Sequence, residues 1–119
     1  MKPYEFEQLV CDHYRQKGYR VQTTSASNDY GIDVFAEKKG EKIAVQVKMY
    51  GGSTRKVNRQ TMMELYGAAA YFDCTKAVLA TDGEVLTDAK EVAHKLGIDI
   101  LFIQPDRKIS MPSASSAEW

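Results

Sequence analysis

Two segments rich in β-forming residues, Ile32 to Glu37 and Lys42 to Lys48, flank Lys38-Lys39-Gly40-Glu41, a stretch just long enough to be a tight turn. Glycine at its third position supplies the positive φ that such turns need. This hairpin constrains the fold more than any other feature of the chain. Side chains on a strand alternate with a period of two, so once the turn is placed the facing of every strand residue follows. With Lys39 and Gly40 as the central pair, Lys38 opposes Glu41. Counting back along both strands, Asp33 opposes Gln46. Asp33, Gln46 and Lys48 then share one face, and Ile32, Val34, Ile43, Val45 and Val47 form an apolar stripe on the other.

The rest of the chain supplies partners for that stripe. Pro3 can start a helix that carries Phe6, Leu9, Val10 and Tyr14 at helical spacing and stops at Gly18. Tyr19 to Thr24 reads as a strand, and Ser25 to Asp29 as a polar loop in which Asp29 shapes a turn. Tyr50 to Thr54, with Gly51-Gly52, reads as a mobile loop. A second helix is predicted over Val57 to Phe72, and Ala77 to Ala80 has the composition of a buried strand. Thr87 or Asp88 can cap a third helix ending at Gly97, before a last strand over Ile98 to Ile103. Tyr4, Phe6, Tyr66, Tyr71 and Phe72 fit helix–sheet packing. The order is α-β-β-β-α-β-α-β, without internal repeats. It predicts an α/β fold with a central mixed sheet flanked by helices, in one domain over 1–111 with a Ser/Ala-rich tail over 112–119.

Composition narrows the function classes. At 119 residues the chain suits one domain. No apolar run approaches the roughly 20 residues that cross a bilayer, and the N-terminus lacks the apolar core of a signal peptide. An intracellular, cytoplasmic protein without a membrane partner is expected. Cys11 and Cys74 lie far apart and with His13 and His94 make no zinc-binding spacing, so free thiols and structural or exposed histidines are expected. Sixteen basic residues balance sixteen acidic ones, which counts against a protein that coats nucleic acid. The balance is uneven along the chain. Lys38, Lys39, Lys42, Lys48, Arg55, Lys56 and Arg59 cluster around a single acid, Glu41. Such a patch suits transient contact with phosphates, and equally a solvated surface.

The convergence of Asp33, Gln46 and Lys48 has a chemical reading. A carboxylate and an amide oxygen are hard ligands suited to Mg²⁺, with Mn²⁺ as a substitute. An ammonium beside them can orient water or stabilise charge on an attacked phosphorus. On geometry alone, the three could instead be the polar face of a half-exposed sheet.

The segments Asn28-Asp29-Tyr30-Gly31-Ile32-Asp33-Val34 and Ala44-Val45-Gln46-Val47-Lys48 resemble the PD-(D/E)XK nuclease superfamily, in particular the catalytic domain of Mrr-type restriction endonucleases. That branch uses a GID-like turn and a QxK tripeptide on the next strand. Tyr4-Glu5-Phe6-Glu7, Lys17-Gly18-Tyr19, Glu64 to Ala68, Val78 to Thr81 and Thr87-Asp88-Ala89 follow its pattern too, so the similarity spans about Pro3 to Phe102. The resemblance implies a restriction-endonuclease-like fold. It makes Asp33 the principal metal ligand, Gln46 the occupant of a position where most of the superfamily has Glu, the Val47 carbonyl a third ligand and Lys48 the catalytic lysine. Glu7 matches an acidic position that assists with metal or water. Gln46 carries one negative charge fewer than the common ExK form. No room is left for the separate DNA-reading domain of full Mrr-type enzymes, so target choice is expected from loops, a second subunit or a partner.

A metal-dependent DNA endonuclease is therefore expected, acting as a homodimer to cut two strands. Arg55, Lys56 and Arg59 are expected to meet phosphates, and Tyr50 either stacks on a base or packs over the hairpin. Resolution of branched DNA is the alternative within that class. A DNA-binding module that does not cleave is the rival from another class, and RNA stays open as a substrate.

Overall fold

Pro3 opens the first helix, α1 (Pro3–Gln16), where its missing N–H costs nothing, and the Glu5 carboxylate reaches back to the Lys2 N–H at 3.4 Å. Gly18, at φ 89, ends the turn that follows. The computed structural model describes residues 1–24, 30–104, 106 and 108–111. The loop expected over Ser25 to Asp29, with its turn-shaping Asp29, and the tail over 112–119 lie outside the described residues.

After α1 come β1 (Arg20–Thr23), β2 (Val34–Lys38) and β3 (Glu41–Lys48), then α2 (Arg59–Tyr71), β4 (Lys76–Thr81), α3 (Thr87–Leu96), β5 (Asp99–Ile103) and β6 (Ile109–Ser110). The strands form one sheet in the order β1-β2-β3-β4-β5-β6. The first three pair antiparallel, β3-β4-β5 pair parallel, and β6 returns antiparallel. The parallel pairs require crossovers, and α2 and α3 supply them on one face of the sheet. The element order and mixed sheet follow the sequence reading, with the two-residue β6 added at the edge.

Two cores sandwich the sheet. On one face, Phe6, Val10, Cys11 and Tyr14 of α1 pack on Val34, Ala36, Ile43, Val45, Val78, Ala80, Leu101 and Ile103. On the other, Met62 and Leu65 of α2 and Ala89 and Ala93 of α3 cover Ile32, Ala44, Leu79 and Ile100. Strands β3, β4 and β5 are covered on both sides, and β4 and β5 read as near-continuous apolar runs for that reason.

The hairpin register is the one read from the turn, with Lys38 opposite Glu41 and Val34 opposite Val45. Gly40 takes φ 77. The reading departs from the structure beyond Val34. The Asp33 N–H bonds the Val45 carbonyl at 2.8 Å, the chain leaves the ladder there, and strict alternation fails. Ile32 is consequently not in the stripe with Val34 but in the opposite core, under α2.

Smaller corrections have local causes. Helix α2 starts two residues late because the Asn58 side chain accepts the Thr61 N–H at 3.0 Å, while Val57 pairs with Val85 in an isolated bridge. Helix α3 begins at Thr87 itself, with Leu86 as the cap residue and no side-chain cap. The segment expected to be mobile after β3 is tied down: the Asp82 carboxylate accepts the Gly51 N–H at 2.7 Å and Ser53 Oγ donates to the Tyr50 carbonyl at 2.6 Å. Of the five aromatics expected in helix–sheet packing, Phe6 is buried and Phe72 partly so. Tyr4, Tyr66 and Tyr71 are exposed. Cys11 and Cys74 are free, the first buried and the second partly so. Among the described residues, no helix is long and apolar enough to cross a membrane.

Candidate active site

Where β2 stops, β3 runs on, and its next N–H groups lose their backbone partners. The Asp33 side chain fills the gap: Oδ2 accepts the Val47 N–H at 2.7 Å. Within an extended residue the N–H and C=O project to the same side, so the Val47 carbonyl also faces the Asp33 end of the hairpin. Gln46 and Lys48, flanking Val47, point with Ala44 to the α2 face.

Gln46 is only 8% exposed, one of two buried polar or charged residues among those described. Its Oε1 is a buried side-chain oxygen with no hydrogen-bond partner, the one such atom among the described residues. A buried, unpaired amide oxygen costs about 1–3 kcal/mol, so it calls for an explanation. Its amide nitrogen leans on Gly31: a Cβ built there would stand 2.9 Å from Nε2. Gly31 also has φ 87, in the left-handed region. The left-handed backbone thus favours glycine at position 31, and a side chain there would displace the Gln46 amide.

The electrostatics point the same way. Burial pushes the Asp33 carboxyl above its usual range, opposed by the Val47 N–H and the Lys48 charge. Glu7, on α1, is pushed up by its own burial and by the charge of Asp33. Asp33 therefore lies within electrostatic reach of Lys48 on one side and Glu7 on the other. The structure brings Asp33 and Val47 into contact, sets Gln46 and Lys48 beside Val47, and places Glu7 across from Asp33 on α1.

This donor set fits a hard cation. Among the described residues, no three His, Cys, Asp or Glu side chains converge, so a cation here relies on neutral oxygens as well as charge. Asp33, the unpartnered Gln46 Oε1 and the Val47 carbonyl are oxygens of the type Mg²⁺ takes, and soft or imidazole ligands are missing from the set.

Two residues that sequence reasoning passed over hold the site. Thr81, fully buried at the end of β4, sits opposite Lys48 in the parallel register. Its Oγ1 donates to the Lys48 carbonyl at 2.7 Å and accepts the Gly83 N–H at 3.0 Å. The neighbouring Asp82 anchors Gly51. The run Thr81-Asp82-Gly83 thus fixes both the end of β3 and the loop beyond it. Its signal was a polar triplet ending an apolar strand.

The expected phosphate-binding residues divide. Tyr50 packs partly buried against the α2 face, with the Lys48 ammonium 5.8 Å and the Arg55 guanidinium 4.5 Å from its ring centroid. Lys56 and Arg59 turn elsewhere, Lys56 to Glu84 at 3.6 Å and Arg59 to Asp88 at 3.1 Å. Those pairs are solvent-exposed and weak, so both cations stay available at small cost. Of the histidines, His13 packs edge-on against Tyr14.

Comparison with known proteins places this arrangement. The chain is 34% identical over 98 residues to the uncharacterized protein y4cE of Sinorhizobium fredii, covering 73% of this chain and 25% of that protein. Among solved structures it resembles a protein of unknown function, AF1548, with a TM-score of 0.64, 19% identity, and coverage of 80% of this chain and 55% of that one. It also resembles the MspJI restriction endonuclease, solved with a 27-mer oligonucleotide, with a TM-score of 0.56, 15% identity, and coverage of 84% and 24%. The chain thus spans a quarter of y4cE and about half of AF1548. These likenesses show a restriction-endonuclease-like fold. The restriction endonuclease family model of the Mrr catalytic domain matches residues 1–108, and the chain belongs to that family.

Proposed function

We propose that this chain is a divalent-metal-dependent endonuclease that hydrolyses DNA phosphodiester bonds. The observation that carries the reading is the unpartnered, buried Gln46 Oε1 beside a carboxylate and a lysine at the end of one hairpin. A polar face of a half-exposed sheet would turn that oxygen to solvent, whereas Oε1 is buried. DNA as the substrate draws on the family and on MspJI, which was solved with an oligonucleotide.

Asp33, Gln46 Oε1 and the Val47 carbonyl would hold Mg²⁺ or Mn²⁺. When bound, the cation supplies Lewis-acid polarisation of a phosphoryl oxygen. The Lys48 ammonium, on a backbone fixed by Thr81, stabilises the negative charge that grows on the phosphoryl oxygens as water attacks. Glu7, whose carboxyl is pushed up by burial and by Asp33, takes a proton from that water as the bond to the leaving oxygen breaks, and the leaving oxygen takes a proton from solvent. Arg55 and Tyr50 meet the strand next to Lys48. Cutting both strands of a duplex requires two such sites, which a homodimer supplies.

The test is cleavage of supercoiled, linear and branched DNA, and of RNA, with Mg²⁺, Mn²⁺ or chelator. Asp33→Asn keeps an acceptor for the Val47 N–H, so it and Lys48→Ala should fold normally by circular dichroism. Each should lose on the order of a hundredfold or more in cleavage rate. Wild-type rates in either variant overturn the site. DNA binding without metal-dependent cleavage identifies a non-catalytic binding module instead. Sedimentation showing only monomer, free and on DNA, removes the homodimer.

A further inference from the structure

Beside Gly31, on the outside of the molecule, the chain displays aromatic rings that the core does not use. Tyr30 is 68% and Tyr71 67% exposed, and their ring centroids stand 5.2 Å apart at 65°. Tyr71 in turn meets Phe72 edge-on at 5.0 Å, and Phe72 meets Phe35. The two tyrosines border an open groove of about 480 Å³ lined also by Glu64, Gly67 and Ala68 of α2. That volume is in the range of small-molecule sites, roughly 300–1,000 Å³.

Two features of the groove are not demanded by the fold. Tyr30 has φ 51, a left-handed conformation that is uncommon for an aromatic residue, and it holds the ring in solvent. Gly67 lies in the interior of α2, where glycine weakens a helix relative to alanine. Its φ is not in the left-handed region, and a Cβ there would meet nothing within 4 Å. Among the described residues, no turn or close packing calls for glycine at that position. What it does is leave the groove open between Glu64 and Tyr71, its neighbours along the same helix face.

The chemistry of the lining selects an occupant. No cation lines the groove among the described residues, and its one charge is Glu64, which accepts a hydrogen bond from Gln60 Nε2 at 3.1 Å. A phosphate is repelled there. A flat, apolar group with amino donors on its edge is favoured, to lie against the tyrosine rings and donate to Glu64. A nucleobase is such a group. Tyr30 is bonded directly to Gly31, against which the Gln46 amide rests, so the groove opens beside the candidate active site.

We propose that the Tyr30–Tyr71 groove receives a nucleobase turned out of the DNA strand engaged by the active site. The protein then favours DNA with an unpaired base near the scissile phosphate over fully paired duplex. The proposal rests on the nuclease reading above. Binding and cleavage are measured separately, so that either can fail alone.

In chelator, binding is titrated by anisotropy with a paired duplex and with the same duplex carrying one unpaired 2-aminopurine. The bulged duplex should bind on the order of tenfold tighter, with the 2-aminopurine fluorescence quenched by stacking. Gly67→Leu, which fills the groove, and Tyr71→Ala should abolish the preference and leave the affinity for paired duplex within about twofold. Tyr71→Phe should keep it. Gly67→Ala should raise the melting temperature while it weakens the preference, a combination that a purely structural glycine cannot give. Equal wild-type affinity for the two duplexes, or a preference that survives Gly67→Leu, overturns the groove assignment. So does self-association that Gly67→Leu abolishes in a protein with no base preference, which marks the groove as a contact between copies. Metal-dependent cleavage in the same protein preparation, read separately, then still upholds the nuclease reading. A base preference without cleavage does the reverse.

Discussion

Gly31→Ala and Gly40→Ala make a matched pair, because both glycines have left-handed backbones, at φ 87 and φ 77, and both are exposed. An L-residue in that region costs about 1–2 kcal/mol. For a domain of this size, 1 kcal/mol shifts the melting temperature by about 4 °C. Each variant should therefore melt roughly 4–8 °C lower. Their surroundings differ. A Cβ at position 40 meets nothing within 4 Å, while one at position 31 stands 2.9 Å from Gln46 Nε2 and 3.7 Å from its Cδ. Ordinary contact begins near 3.5 Å, so the Gln46 amide has to retreat by about half an ångström. A misplacement of about 1 Å costs on the order of a hundredfold in rate, so half of that costs about tenfold. Metal-dependent cleavage at 20 °C, where both variants are folded, should fall about tenfold for Gly31→Ala and stay within twofold for Gly40→Ala. Equal activities would refute the reasoning, since they would mean that the Gln46 amide has no place in the reaction.

Three further outcomes follow from the contacts around that amide. Thr81→Val keeps the shape of a fully buried side chain but strips the Lys48 carbonyl and the Gly83 N–H of their partner, so it should cost about 1–3 kcal/mol and lower cleavage, with Thr81→Ser restoring both. Asp33 and Glu7 have raised carboxyl pKa values, so the metal-free fold holds protons more tightly than the unfolded chain and loses stability as pH rises from about 4 through those raised values. In chelator, the melting temperature of Asp33→Asn relative to wild type should therefore increase with pH across that window, and a decrease would contradict the assignment of burial as the cause. Arg55→Ala should weaken binding to all duplex sequences alike and flatten the dependence of log K on log salt by roughly 0.9 per phosphate contact, and Lys56→Ala, whose exposed pair with Glu84 is weak, should do the same; titrations at several salt concentrations decide it.

The parts of the fold that were legible in the sequence are those set by local chemistry. Gly40 fixes the turn, the turn fixes the register from Lys38 to Val34, and helical spacing finds α1, α2 and α3 to within two residues. Legibility ends where a distant group decides. Nothing near Ile32 in sequence says that the Asp33 N–H will take the Val45 carbonyl and the chain will leave the ladder there, yet that departure sends Ile32 to the other core. Thr81 is an ordinary strand residue until the parallel register sets it opposite Lys48. Tyr66 and Tyr71 share spacing with buried residues of α2, and spacing alone does not say which edge of a helix face stays in solvent. Asp33, Gln46 and Lys48 could be singled out because Gln46 and Lys48 alternate on one strand and the turn register set Asp33 opposite Gln46, although the ladder itself stops at Val34. Gly31 was quoted as part of a turn, and its role as the wall against which Gln46 rests needed coordinates.

Gln46 resolves a tension that a glutamate would sharpen. Asp33 is already held above its ordinary pKa by burial, against the Val47 N–H and the Lys48 charge, and Glu7 is pushed up by its own burial and by the charge of Asp33. A third carboxylate at a position only 8% exposed would have to be desolvated beside two others, and without a cation it would cost far more than an unpaired amide. The amide limits the penalty of the empty state to that of one unsatisfied oxygen. It also means that a cation gains less Coulomb energy on binding, so affinity has to come from the number and placement of oxygens rather than from charge. Placement is what the surrounding contacts secure: Gly31 sets the amide, Asp33 is tied to Val47, and Thr81 anchors the end of the strand that carries Gln46, Val47 and Lys48. On the proposed reading, a chain with sixteen charges of each sign relies on how firmly its few candidate ligands are held, and not on a strong field.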